Sequence, residues 1–248
     1  MGFLNKNPYS RAGLGLLIAG VVIALPAYFL LALTWLTALA ISMVIMSFIL
    51  LALGKTIPKL SPEVCNLVLE TGIDNMSALI EELGIRNKAV YLPSSLTSDR
   101  PQALIPLNSG QPLPPINKVL NQRLIVKYAT GPDDFGLLLS TIGSIAVGLL
   151  ESAPSPNADE LESAMNSLLT GILGMADGAS AAVQDGQVTM VIRNPRVENK
   201  STWSNRCLGS PLASIAASIT AEAWDRPVTI KQEESLGNTY SVILEVLK

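Results

Sequence analysis

The chain has 248 residues, with 17 Lys and Arg, 20 Asp and Glu, two Cys and no His, and its formal net charge is −3. Without histidine, HExxH zinc sites and Ser-His or Cys-His nucleophile pairs are excluded. Every charge before Glu63 is basic, which leaves 13 basic and 20 acidic side chains, a net charge of −7, for residues 60–248. Such an acidic segment disfavours nucleic acid as a partner.

The most informative stretch runs from Ala12 to Gly54, 43 residues without one charged side chain or histidine. As a helix it would reach roughly 65 Å, about twice the thickness of the hydrocarbon core of a bilayer. We therefore predict a transmembrane hairpin within residues 1–59, with spans at about 12–33 and 35–54. Basic residues flank both ends, so the positive-inside rule predicts that both termini and the rest of the chain are cytoplasmic. The flanking residues are Lys6, Arg11, Lys55 and Lys59.

The first span carries small residues four apart, Gly15 with Ala19 and Gly20 with Ala24. This spacing lets helix backbones approach closely within a membrane, although Gly and Ala are common in any span. Pro26 should kink the same helix.

Residues 60–248 are predicted to form a soluble α+β domain, with one part at 60–130 and a second at 131–248. Ser61 and Pro62 are typical of a helix start and Gly84 of a helix stop, so a helix is expected over about 62–83. Short strands are expected at 89–92, 103–105 and 123–129, and a turn at 131–134. Ser94 to Lys118 contains five prolines and is interpreted as a long surface loop or an arm that covers an edge.

Phe135 to Leu150 has no charged residue. It is too short for a span, and we predict a buried helix, with a re-entrant or membrane-surface segment as the alternative.

The remaining chain is predicted to contain one α-β-β unit twice, which would place helices on one face of a mostly antiparallel sheet. Asn157 should cap the first helix and Ser210 the second. Asp185-Gly186 and Gly237-Asn238 should form the turns of the two hairpins. The expected strands are 179–183, 187–193, 228–233 and 240–246.

The segment from Trp203 to Pro211 is the strongest candidate for a ligand or anion site. It places Trp203, Arg206, Cys207 and Ser210 just before a helix, whose N-terminus could receive an anion or lower a thiolate pKa. The alternative, which we favour, is structural: Ser210 caps the helix, and Cys207 packs as a small hydrophobe.

No catalytic, cofactor-binding or metal-binding residue is assigned. Cys65 and Cys207 are far apart in sequence and are expected to be two reduced thiols. Asp133-Asp134 with Asp177, or Glu233-Glu234 with Glu222, could be paired carboxylates, but no spacing supports this, and turn or strand surface residues are the better interpretation.

Beside these features the chain has the segments Val90-Tyr91-Leu92-Pro93, Ala103-Leu104-Ile105-Pro106-Leu107, Ser210-Pro211-Leu212-Ala213-Ser214 and Asp225-Arg226-Pro227-Val228-Thr229. With the hairpin, they make it resemble an archaeal family of two-span membrane proteins of unknown function. The resemblance implies an archaeal membrane and an α+β domain, and no catalytic residue. The C-terminal part also shows a faint similarity to small-molecule-binding domains of the vinyl-reductase type.

The sequence thus favours a membrane-anchored, non-enzymatic scaffold, or a subunit of a self-associating membrane complex. Its expected partners are membrane lipids and further copies of itself or other subunits of that complex. The alternative is a membrane-tethered sensor that binds a small apolar or anionic ligand.

Overall fold

A computed structural model describes residues 8–29, 33–56, 62–108, 114–116, 118–197 and 202–247. Lys6 and Lys59 lie outside these ranges, and the side chain of Cys65 is not described either. The chain divides into two compact units, residues 1–69 and 70–248, and each is described separately below.

The first unit contains two long apolar helices, α1 (Pro8–Phe29) and α2 (Thr34–Thr56). Stretches of 21 residues in α1 and 22 residues in α2 are long and apolar enough to cross a membrane. The two helices agree with the two predicted spans, and α1 continues through Pro26. A third helix, α3 (Pro62–Glu82), begins in this unit and ends before Gly84, whose φ of 67° stops it as predicted.

The second unit is built on one eight-stranded sheet in which every pairing is antiparallel. The fold therefore confirms the predicted α+β class. The strands are β1 (Val90–Leu92), β2 (Gln102–Pro106), β3 (Ile125–Lys127), β4 (Phe135–Leu139), β5 (Gly178–Gln184), β6 (Gln187–Arg193), β7 (Val228–Leu236) and β8 (Thr239–Val246), and their spatial order is β3-β4-β2-β1-β7-β8-β6-β5.

Among its described residues the second unit has five further helices: α4 (Ser94–Thr97), α5 (Ile142–Val147), α6 (Ala158–Asn166), α7 (Trp203–Leu208) and α8 (Pro211–Trp224). A π-helical segment, Ser167–Ile172, extends α6. Among them α8 is central, because all its residues from Leu212 to Ala221 are buried. The larger hydrophobic core lies around α8 and includes Tyr91, Met165 and Met190.

A smaller hydrophobic cluster joins β1, β2 and β4 to the segment that precedes β3. Ile116 and Leu120 are buried in it together with Leu104 and Leu138. The proline-rich stretch, predicted as a long surface loop or an arm that covers an edge, contains α4 and β2, and its residue Ile116 is buried in this cluster.

The two predicted α-β-β units are present as α6-β5-β6 and α8-β7-β8, and they meet where β6 pairs with β8. The predicted helix cap and hairpin turn of the first α-β-β unit are both present. The side chain of Asn157 accepts a hydrogen bond from the Glu160 N–H at 2.8 Å. Asp185 and Gly186 both have positive φ, 49° and 77°, as a tight two-residue hairpin turn requires.

The outer edge of β5 is covered by side chains of α6. The Asn166 amide accepts from the Ala179 N–H at 2.7 Å and donates to the Ala179 carbonyl at 2.9 Å, as a neighbouring strand would. Glu162 accepts from the Ala181 N–H at 3.2 Å. These contacts block part of an edge that could otherwise pair with another chain.

The prediction of one buried helix over Phe135–Leu150 is wrong. Its first part is strand β4, which pairs with β2 and β3, and only Ile142–Val147 is helical. A short uncharged run is compatible with either structure, and here the available strand partners decide. Helix α7 was not predicted either, because its sequence is polar and short.

Candidate functional site

Trp203 and Arg206 lie on α7, whose first turn is capped by Thr202. The Trp203 indole N–H donates to the Ile85 carbonyl at 2.9 Å, which fixes the ring against the chain that follows α3. The exposed Arg206 guanidinium lies 5.5 Å from the centre of that ring. This cation–π pair has the i, i+3 spacing of helix neighbours and is explained by packing within the chain.

Cys207 is a buried thiol with 4% of its surface exposed. Its Sγ donates to the Ile85 carbonyl at 3.7 Å, and burial raises the pKa of the thiol. A reactive cysteine needs the opposite shift, because the thiolate is the nucleophile. The surroundings therefore favour a packing role for Cys207.

Ser210 caps α8, with its Oγ accepting from the Ala213 N–H at 3.2 Å, and Pro211 occupies the first turn. The Ser210 N–H donates to Glu233 Oε2 at 3.1 Å. The Glu233 carboxylate thus occupies the position at the N-terminus of α8 where an external anion could otherwise bind.

Tyr240, on strand β8, contacts both Ser210 and Glu233. Its hydroxyl donates to Glu233 and lies 2.5 Å from Ser210 Oγ. Burial, and after it the contact with Glu233, raises the pKa of Tyr240, so this hydroxyl stays protonated at neutral pH. On strand β1, which β7 separates from β8, the Tyr91 hydroxyl donates to the Leu208 carbonyl at 2.5 Å, and burial raises the pKa of Tyr91 too.

We call Ser210, Glu233 and Tyr240 the cap cluster. Of these three residues the sequence places only Ser210 at the start of α8, because Glu233 and Tyr240 come from a hairpin whose position against that helix the sequence does not reveal. Each hydroxyl and the carboxylate is hydrogen-bonded within the chain. The arrangement ties the start of α8 to β7 and β8, which is a structural role.

A partly open cleft of about 200 Å³ lies beside the cap cluster. It is smaller than typical ligand pockets, which have about 300–1,000 Å³. Of the four predicted site residues, only Ser210 lines it. The lining consists of Pro195, Val197, Ser210, Pro211, Leu212, Ser235, Gly237 and Tyr240.

The acidic side chains are distributed over different parts of the fold. Glu222, near the end of α8, accepts hydrogen bonds from the Ser94 N–H and hydroxyl at 2.5 and 3.0 Å. Glu233 lies at the other end of α8, which has 14 residues and is therefore about 20 Å long. Asp177 pairs with Arg196 at 2.6 Å. Asp134 accepts from the Gly131 N–H at 2.5 Å, at the opposite end of the sheet.

These contacts explain the carboxylates as caps, turns and surface pairs. Within the described ranges, no three Cys, Asp or Glu side chains are grouped so that they could hold a metal ion.

In the first unit, α1 and α2 pack through small residues seven apart. Gly13, Gly20 and Ala27 are buried on α1, and Ala40 and Ser47 on α2. An added Cβ at Gly20 would lie 2.9 Å from Val44 Cγ2 and 3.2 Å from the Ala40 carbonyl oxygen. These positions form what we call the hairpin seam.

Only some of the small residues predicted to pack on α1 belong to the hairpin seam. Gly20 belongs to it, and Ala19 and Ala24 are half-buried. Gly15 lies outside it, because an added Cβ there would meet no atom within 4 Å.

Together these features define an α+β protein with two apolar N-terminal helices and a body whose polar clusters serve the fold. The chain belongs to the family described as Domain of unknown function (DUF7982), whose family model matches residues 4–245. No curated protein and no solved structure matches the chain.

Proposed function

We propose that this protein is a membrane-anchored, non-enzymatic scaffold or a subunit of a self-associating membrane complex. The observation that carries the proposal is the pair of apolar helices α1 and α2, closely packed along the hairpin seam and long enough to span a bilayer. The body supports it, since the cap cluster uses its polar groups internally. An archaeal membrane, implied by the resemblance given above, stays a prediction.

Self-association is supported by the outer surface of the hairpin. Gly15 leaves room on α1 that no described atom of the same chain fills. A second copy could approach closely there, as small residues permit in membranes.

Light scattering of the full-length protein in several mild detergents tests this proposal. The protein mass in the particle should exceed that of one chain. Gly15→Leu should lower the particle mass, whereas Ile18→Leu, at a residue 55% exposed on the same helix, is the matched control and should not. A strictly monomeric wild type in every detergent would refute self-association.

A sensor is the second candidate, and the cleft beside the cap cluster favours it. A small apolar or anionic ligand would enter between Pro195, Pro211 and Tyr240. The similarity to domains of the vinyl-reductase type points in the same direction and stays a prediction. Native mass spectrometry of protein purified from membranes should then show a retained small molecule, and Tyr240→Trp should remove it. A wild-type mass equal to that of the bare chain would exclude this candidate.

We also propose that both termini and the body are cytoplasmic, from the positive charge that flanks the hairpin. Cysteines introduced one at a time in a Cys65→Ser background test this in intact cells with an impermeant maleimide. Thr34→Cys, at the start of α2, should react, and the exposed Thr170→Cys should react only after permeabilisation. The reverse pattern would place the body outside. Cys207 is buried and should react on neither side of the membrane.

A further inference from the structure

The first two turns of α3 expose an unusual number of apolar side chains. The exposed fractions are 47% for Val64, 67% for Leu67, 66% for Val68 and 62% for Leu69. Single exposed aliphatic residues are normal, but a contiguous group of this kind indicates a contact surface. We call these four residues the α3 apolar patch.

The chain itself holds this patch close to the end of a candidate membrane span. Helix α2 ends at Thr56 and α3 begins at Pro62, with five residues between them. A fully extended connection of that length reaches about 20 Å. The first turn of α3 therefore cannot lie farther than this from the end of α2, whose last turn carries Lys55.

Charge also bears on what covers the patch. No member of the patch is charged, and the chain from residue 60 onward has a net charge of −7. Anionic headgroups would repel such a chain, so contact with a bilayer would depend on burial of apolar surface and not on attraction between charges.

We infer that the α3 apolar patch lies in the membrane interface, with lipid as its occupant. Val64, Leu67, Val68 and Leu69 insert at the boundary between headgroups and acyl chains, about 5–10 Å deep, as interfacial helices do. This inference rests on the proposed anchoring of α1 and α2 in the membrane. A bilayer suits the patch because it needs no matching charges and is held within reach by the chain.

The experiment measures lipid contact directly in full-length protein at one copy per nanodisc. An environment-sensitive fluorophore is attached to Val68→Cys in a Cys65→Ser background. Two lipids serve as quenchers, one with a spin label near the headgroup for the interface and one with a spin label deep in the acyl chain for a probe at mid-span. Ile45→Cys, 57% exposed within α2, reports on anchoring, and Leu236→Cys, 70% exposed on the body, is the matched control. Leu69→Cys gives a second reading should Val68→Cys disturb folding.

In neutral lipid we expect quenching by the headgroup label at Val68 to be at least about twofold stronger than at Leu236, and not weakened by added salt, since apolar burial drives the contact. Equal quenching at Val68 and Leu236, with Ile45 quenched, would overturn the interfacial helix and leave the anchor in place. A blue-shifted Val68 probe that lipid does not quench would mean that protein covers the patch, which also overturns the inference. No quenching at Ile45 would instead refute the anchor.

Discussion

The contact between α5 and α8 gives the sharpest test of how the body is packed. Gly143, near the start of α5, lies directly against α8, and its N–H donates to Ser214 Oγ at 3.3 Å. A Cβ added at Gly143 would lie closer than 3.0 Å to the Ser214 carbonyl oxygen and to Ser218 Oγ. The first of these is helix backbone and cannot rotate away, so Gly143→Ala should force the two helices apart.

The expected cost follows from three effects. Separating the helices by about 1 Å forfeits a quarter to a half of the contact energy between the facing atoms, and overpacking of this kind costs about 1–3 kcal/mol. Loss of the Gly143–Ser214 hydrogen bond costs about 1 kcal/mol, and the better helix propensity of alanine returns about 1 kcal/mol. The net loss is about 2 kcal/mol, or about 4–8 °C in Tm for a domain of this size.

Thermal unfolding of the full-length protein in one mild detergent measures this effect. The fluorescence of Trp203 and Trp224, which both pack against the core of the body, follows the transition. Gly72→Ala is the matched control, because Gly72 is in the interior of helix α3 and an added Cβ there meets nothing within 4 Å. It should raise stability by about 0.5–1 kcal/mol. A Gly143→Ala protein that melts at or above the wild-type temperature would refute the packing argument.

Three further predictions concern polar contacts of the body. Asn166→Ala should lower Tm and speed growth of light-scattering particles on heating, because the Ala179 N–H and carbonyl lose their partner and the strand edge opens; unchanged aggregation would contradict this. Tyr240→Phe should cost about 1–3 kcal/mol in denaturant unfolding by leaving Glu233 short of a donor, and a neutral effect would argue against the cap cluster. Hydrogen bonds from neighbouring side chains lower the pKa of Asp177, so its contribution is present above about pH 4 and is lost as pH falls through the folded-state pKa. The Tm deficit of Asp177→Asn relative to wild type should therefore shrink below pH 4, and a deficit independent of pH would contradict this assignment.

Local sequence signals determined much of the fold. Asn157 and Ser210 cap helices, Gly84 ends one, and Asp185-Gly186 turns a hairpin, because each effect depends on residues a few positions apart. The uncharged, apolar composition of residues 12–54 also predicted the two long apolar helices.

Tertiary contacts decided the rest. Phe135–Leu139 is a strand because β2 and β3 lie beside it, and no periodicity within the segment reveals those partners. The hairpin seam uses Gly13 and Gly20 instead of Gly15, since the rotation of α1 is set by the residues that α2 presents. The cap cluster joins Ser210 to Glu233 and Tyr240, 23 and 30 residues further along. Such contacts form only when distant segments meet, so the sequence alone identified the helix cap and the tertiary structure its partners.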